Sequence, residues 1–168
     1  MRPLLPTLLP GLAALSLLAL AASPAEPEAR WWKGNTHTHT LWSDGDALPD
    51  VVMAWYRQRD YHFLALTDHN VLQQGDTWFP ISERSGSRLR PEQVEAAEAD
   101  LEVTFEQRAK GEGQDLRLSR LEELRTRFAE PGRFLVLPGE EVTSSWRSPG
   151  KDGRGHPIHV NALGLTRP

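Results

Sequence analysis

From Trp31 onward the chain alternates short apolar runs with segments of helical spacing. "WWKGNTHTHT" (31–40) opens on aromatics and then alternates, which predicts a first strand. "SDGD" (43–46) is a turn. Pro49 stands where a helix begins, and Val51, Val52, Trp55 and Tyr56 in "DVVMAWYRQRD" recur at helical spacing. "YHFLALTDHN" (61–70) is a short apolar run with a polar end, the pattern of a buried parallel strand. Strand, helix and strand together predict a βαβ unit with a right-handed crossover. Residues 73–90, with Gly75, Pro80 and Gly86, predict a loop. "PEQVEAAEAD" is a helix opened by Pro91. "LEVTFEQ" and "QDLRLS" alternate on either side of "KGEG" and predict a hairpin. "SRLEELRTRFAEPG" predicts a helix with a Ser119/Glu122 capping box and one face of Leu121, Leu124 and Phe128, stopped by Pro131 and Gly132. "RFLVLPGEEVT" and "HPIHVNALGL" are a third and a fourth core strand, both expected parallel.

The first thirty residues have another character. One early charge, Arg2, precedes an apolar run from Leu12 to Ala22, and Ala19 and Ala21 fit an A-x-A-like cleavage site. Residues 1–24 therefore read as a secretory signal peptide, 25–30 as a linker and 31–168 as the folded body. The run is short for a membrane span of about 20 residues, so no stable span is expected after cleavage. An uncleaved anchor is the alternative. The expected location is periplasmic or secreted.

Composition narrows the chemistry. The 168 residues carry a formal net charge of −4 and no basic stretch, so no nucleic-acid partner is expected. There is no cysteine, which excludes disulfides, thiolate metal sites and thiol catalysis. Any metal must sit on His, Asp and Glu, a donor set that suits Zn, Mn or Fe.

Such donors fall near the polar ends of all four expected strands: His37 and His39, Asp68 and His69, Glu140 and Glu141, and His159 with His156 just before it. His-x-His in a strand places both rings on one face, where they chelate an ion or simply sit at the surface. In parallel α/β folds the site lies at the strands' C-terminal ends. Clustered carboxylates and imidazoles are costly without a compensating cation, which favours a multi-metal site.

His-x-His, Ser-Asp-Gly, Thr-Asp-His-Asn, Pro-Gly-x-Glu and a histidine in an apolar strand together resemble the PHP (polymerase and histidinol phosphatase) family. The resemblance runs from His37 to about Leu165 and is most specific in "THTHTLWSDG" followed by "ALTDHN". It implies an α/β fold, the N-terminal portion of a distorted (β/α)7 TIM-like barrel. It implies up to three divalent metals at the barrel mouth, with the helix and hairpin of about 91–118 an insertion over that mouth. Carried onto this chain, His37 and His39 hold one metal and Glu141 bridges it to a second. His159 holds the second, and Asp44 and His69 hold a third. Glu141 is preferred to Glu140 because the family's glutamate follows the glycine by two, and strand alternation agrees. His159 is preferred to His156 because it lies inside the apolar run. Asp68 orients a ligand or loop from behind.

The resemblance implies metal-dependent hydrolysis of a phosphomonoester or small phosphodiester by a metal-activated hydroxide, with no protein nucleophile. The alternatives are an inactive metal-binding remnant or an extracytoplasmic module that binds phosphorylated ligands without cleaving them. The family's later histidine and Asp-x-His are not in these 168 residues. The expectation is a barrel truncated after its fourth strand, completed by a missing C-terminal segment or a complementing chain. Unclosed, it exposes a strand edge and apolar faces. Arg84, Arg88, Arg90 and Arg154 lie in loop-like stretches and are solvated charges or phosphate partners.

Overall fold

A computed structural model describes residues 29–147 and 155–166. The leader, most of the linker and Arg154 lie outside the described residues. The unit that begins at Trp31 is mixed α/β, with three helices and two sheets among the described residues. Its larger sheet curls as a half-barrel.

That sheet has the order β1 (Gly34–Asn35), β2 (Phe63–Leu66), β6 (Leu135–Arg147), β7 (Gly155–Leu163). β1, β2 and β6 run parallel, with Asn35 opposite Leu64 and Leu64 opposite Val136. β7 corrects the sequence expectation: it runs antiparallel to β6, from Gly139 opposite Leu163 to Arg147 opposite Gly155. Only residues 148–154 separate the two strands. A parallel crossover needs about a dozen residues or more, which this separation does not supply. The first strand is also shorter than expected. Beyond Asn35 the chain stays beside β2 through Thr38: the Thr67 amide donates to the Thr38 carbonyl (2.8 Å), and the Thr38 amide to Thr67 Oγ1 (3.0 Å).

Helices cover the outer face of the sheet. α1 (Pro49–Gln58) begins with Pro at its first turn and buries Met53 and Ala54. α3 (Leu121–Phe128) buries Leu121, Leu124 and Phe128, the face expected from sequence. These side chains pack with Leu64 and Leu66 of β2 and with Phe134 and Val136. The capping box is displaced by one residue. Arg120 is the N-cap, and its amide donates to Glu123 Oε2 at 2.8 Å. Ser119 is spent elsewhere, its carbonyl accepting the Trp42 indole N–H (3.0 Å).

A second, antiparallel sheet has the order β3 (Trp78–Ile81), β5 (Gly113–Arg117), β4 (Gln107–Lys110). The hairpin was expected, although β4 starts later than its alternating run. β3 falls in the expected loop. Pro80 hides it, and as an edge strand β3 tolerates the missing donor. This sheet and α2 (Pro91–Leu101) build a second core. Leu116, Leu118, Phe105 and Val94 bury Leu41 and Trp42, the residues just after His39. The chain on both sides of the His-x-His motif is thereby anchored.

β7 is an edge strand. Val142, Ile158 and Val160 lie on one face of the β6–β7 hairpin, 43 %, 48 % and 57 % exposed. Among the described residues no helix is long and apolar enough to cross a membrane.

Candidate metal centre

Glu141 is the hub of the site. It sits on β6 where the parallel register with β2 ends, and its backbone bridges to His69. Its side chain is nearly buried, yet four imidazoles reach it. His37 Nε2 lies 2.9 Å and His39 Nε2 2.6 Å from Oε2. His159 Nδ1 lies 2.8 Å from Oε1, and His69 Nδ1 3.5 Å from Oε2. Burial pushes the Glu141 carboxyl up. The hydrogen bonds from His37 and His39 and the charges of His69 and His37 outweigh it and hold the group below its ordinary range.

Local backbone chemistry explains how these residues meet. His37 and His39 flank Thr38, whose main chain is fixed to Thr67, so both rings project to the same side, with Nε2 atoms 3.1 Å apart. The Asn35 side chain accepts the His37 amide (3.1 Å) and donates to Tyr56 Oη (2.6 Å), tying the segment to α1. Asp44 is brought in by the turn after His39. There Gly45 lies so close to the main chain that a Cβ would stand 2.6 Å from both the His39 carbonyl carbon and the Thr40 nitrogen. This close approach is the reason for Gly in Ser-Asp-Gly. Gly139 serves the same end in Pro-Gly-x-Glu: a Cβ there would meet Thr67 Cγ2 at 2.8 Å and the Leu66 carbonyl oxygen at 3.0 Å.

Asp68 is fully buried and accepts four hydrogen bonds. The Thr40 amide (2.7 Å) and Ser43 hydroxyl (2.7 Å) reach Oδ1; the Thr40 hydroxyl (3.0 Å) and Gln73 amide (2.9 Å) reach Oδ2. It stands behind the 39–44 segment and fixes its shape.

Among the described residues three groups of side chains could each hold an ion: His37, His39 and Glu141; His69, Glu141 and His159; and His39, Asp44 and His69. The first fits a divalent cation well. Its three donor atoms are 2.6, 2.9 and 3.1 Å apart. Ligands about 2.1 Å from one ion are about 3.0 Å apart at right angles and about 3.4 Å apart in a tetrahedral zinc site, so these donors need to spread by only a few tenths of an ångström to about 0.8 Å to hold an ion. A neutral imidazole has one lone pair, so His39 cannot serve two ions. With Nε2 in the first group, its Nδ1–H donates to Asp44 Oδ1 at 2.7 Å, the carboxylate support common behind ligating histidines. That leaves Asp44 Oδ2 and His69 Nε2, 3.4 Å apart, for a third ion. The His39 hydrogen bond, aided by the charges of His39 and His69 and opposed by slight desolvation, lowers the Asp44 pKa.

All six residues expected as ligands are therefore brought together. Glu140 is not: it faces the other side of β6, opposite Ala162, and belongs to none of the three groups. His156 shares the register parity of Ile158 and Val160 and is also outside them. The sequence reading overlooked Thr143. Its hydroxyl lies 2.6 Å from His69 Nδ1 and 3.2 Å from His159 Nδ1, orienting the His69 ring. The signal was present, since Thr143 follows Glu141 by two on the same strand. Asn70 was also overlooked. In a left-handed conformation (φ 52°) it accepts the Thr143 amide (2.8 Å) and gives its own amide to the Glu141 carbonyl (3.0 Å).

No protein-family model, no curated protein and no solved structure matches the chain.

Proposed function

We propose that this chain is a metal-dependent phosphoesterase acting on a small phosphorylated substrate, and that it works outside the cytoplasm. The observation that carries the reading is the convergence of His37, His39, His69 and His159 on the one nearly buried carboxylate of Glu141, with Asp44 alongside. The extracytoplasmic location rests on the leader pattern in the first 24 residues.

His37 and His39 would hold one ion with Glu141 Oε2, and His159 would share Glu141 Oε1 around a second. Asp44 and His69 offer two donors to a third. Divalent ions there supply positive charge for a phosphate and Lewis acidity toward a coordinated water. The chain itself contributes rigidity. Asp68 fixes the 39–44 segment, Asp44 holds the His39 ring, and Thr143 holds the His69 ring. His37 and Asp44 are about half and two-thirds exposed, so the cluster is open to an incoming substrate.

The test is hydrolysis of p-nitrophenyl phosphate and bis(p-nitrophenyl) phosphate with added Zn, Mn or Fe. A His37→Ala/His39→Ala variant should lose both bound metal and turnover; retained turnover would overturn the reading. A second reading, metal binding without turnover, draws on the third group having only two donors once His39 is committed. It predicts bound metal and no released phosphate or nitrophenol.

A further inference from the structure

We propose that Arg88 is a positioning residue that clamps the turn carrying Asp44. The proposal rests on the metal-binding reading of the cluster above. Arg88 lies 44 positions after Asp44 in a segment read from sequence as solvated loop or phosphate partner. Its Nη1 instead donates to the Ser43 carbonyl at 2.6 Å and to the Gly45 carbonyl at 3.2 Å, the two carbonyls that bracket Asp44.

The arginine is well placed for this. Its neighbour Leu89 is buried in the second core, and the Leu89 carbonyl accepts the Ser82 amide at 3.0 Å, closing the base of the loop. The guanidinium also rests over the Phe79 ring of β3, 4.9 Å from its centroid. One end of Arg88 is fixed by a core and a strand, and the other holds the turn. The main chain of the turn is secured to the histidine segment by the Ser43 and Gly45 amides, both donating to the Thr40 carbonyl (3.1 and 3.0 Å), and by the Leu41 amide on the Ala47 carbonyl (3.0 Å).

The Asp44 side chain is 66 % exposed and is held at its tip by His39 alone among hydrogen bonds shorter than 3 Å, so its aim depends on the backbone beneath it. Its orientation matters because one oxygen supports His39 and the other faces His69. The Ser43 carbonyl lies in the peptide plane before Asp44, and the plane after it is held by the Gly45 amide on the Thr40 carbonyl; with the Gly45 carbonyl also clamped, the turn around the Asp44 Cα–Cβ bond is held from both ends. Arg88 thereby acts on the Asp44–His69 pair through Asp44, without touching either histidine.

The experiment uses Arg88→Met, which keeps the apolar stem, and Arg88→Lys, which keeps a donor, both in the full chain. Amide hydrogen exchange is first read on metal-free protein. Arg88→Met should raise exchange at Ser43 and Gly45 at least tenfold and leave Leu64 and Val136 unchanged, with Arg88→Lys between it and wild type. Zn titration is read second. The weakest binding step should lose tenfold or more in affinity while the tighter steps persist, in line with about 10- to 100-fold for groups that orient ligands. Unchanged exchange at Ser43 and Gly45 would overturn the clamp, as would a rise spread evenly over all amides. Faster exchange there with Zn affinity intact would overturn the positioning role. Wild-type protein that binds no Zn would remove the metal reading instead, a separate result from the exchange measurement.

Discussion

Asp68→Asn removes one charge from the buried carboxylate behind the His39–Asp44 segment and changes almost nothing in shape. The asparagine oxygen must take the Oδ1 position, because the Thr40 amide there can only donate. The NH2 group then meets Gln73 Nε2, donor against donor. Gln73 can turn over and offer Oε1, which has no partner in the native structure, but its own NH2 then enters that partnerless space. The Thr40 hydroxyl must also reverse, from donor to acceptor. A hydrogen bond to a charged group is worth roughly 1.5–3 kcal/mol against about 1 for a neutral one. Four such bonds weakened, with one rearranged unfavourably, come to about 2–3 kcal/mol. That is a large share of a typical domain stability of about 5–15 kcal/mol. Urea unfolding of metal-free protein at pH 7, followed by tryptophan fluorescence, reads the loss directly. A loss below about 0.5 kcal/mol would refute the claim that Asp68 organises the segment, since that is the scale of an ordinary surface change.

Three further outcomes follow from the same structure. Gly45→Ala, which puts a Cβ 2.6 Å from backbone atoms, should weaken Zn binding at least tenfold, whereas Gly113→Ala, with its nearest contact at 3.7 Å, should not; dialysis against Zn compares them. Arg117, then Arg120, hold the Glu123 carboxyl down at about 2. A depressed carboxyl adds stability above its unfolded value near 4.5 and loses it as pH falls toward 2. The full shift sets a ceiling of about 3 kcal/mol, which solvent screening reduces to about 1–2. Glu123→Gln should flatten the acid limb of the stability profile between pH 4.5 and 2, read by urea midpoints. Leu124→Ala empties a fully buried position between α3 and the sheet and should cost about 2–5 kcal/mol, read by the same unfolding assay.

Periodicity revealed the elements that bury one clear face. α1, α3 and β2 were legible from their apolar positions, α1 and α2 from an opening Pro, and the β4–β5 hairpin from its Gly-containing turn. The direction of β7 was misread because both flanking strands are apolar enough to pass for buried parallel ones. The loop length held the answer, since residues 148–154 are too few to cross over. β3 was hidden by Pro80, which propensity counts against a strand but an edge position accommodates. The clustered candidate residues were legible from the His37/His39 spacing and, for Asp44, His69, Glu141 and His159, from the resemblance carried by Ser-Asp-Gly, Thr-Asp-His-Asn and Pro-Gly-x-Glu, with strand parity agreeing at Glu141. The residues that support them were less so. Thr143 shares the parity of Glu141 and was within reach of the same logic. Gln73 and Arg88 act across 5 and 43–45 positions through contacts that only the folded chain creates.

The central claim is that Glu141 joins two metal positions, one through each oxygen. Equilibrium dialysis of metal-free protein against Zn, with the bound metal counted by elemental analysis, tests it most directly. Wild type should bind at least two ions per chain. Glu141→Gln should remove two together, while His159→Ala should remove one and leave the ion on His37 and His39. Wild type that binds no ion, or Glu141→Gln protein that keeps its full complement, would contradict the account.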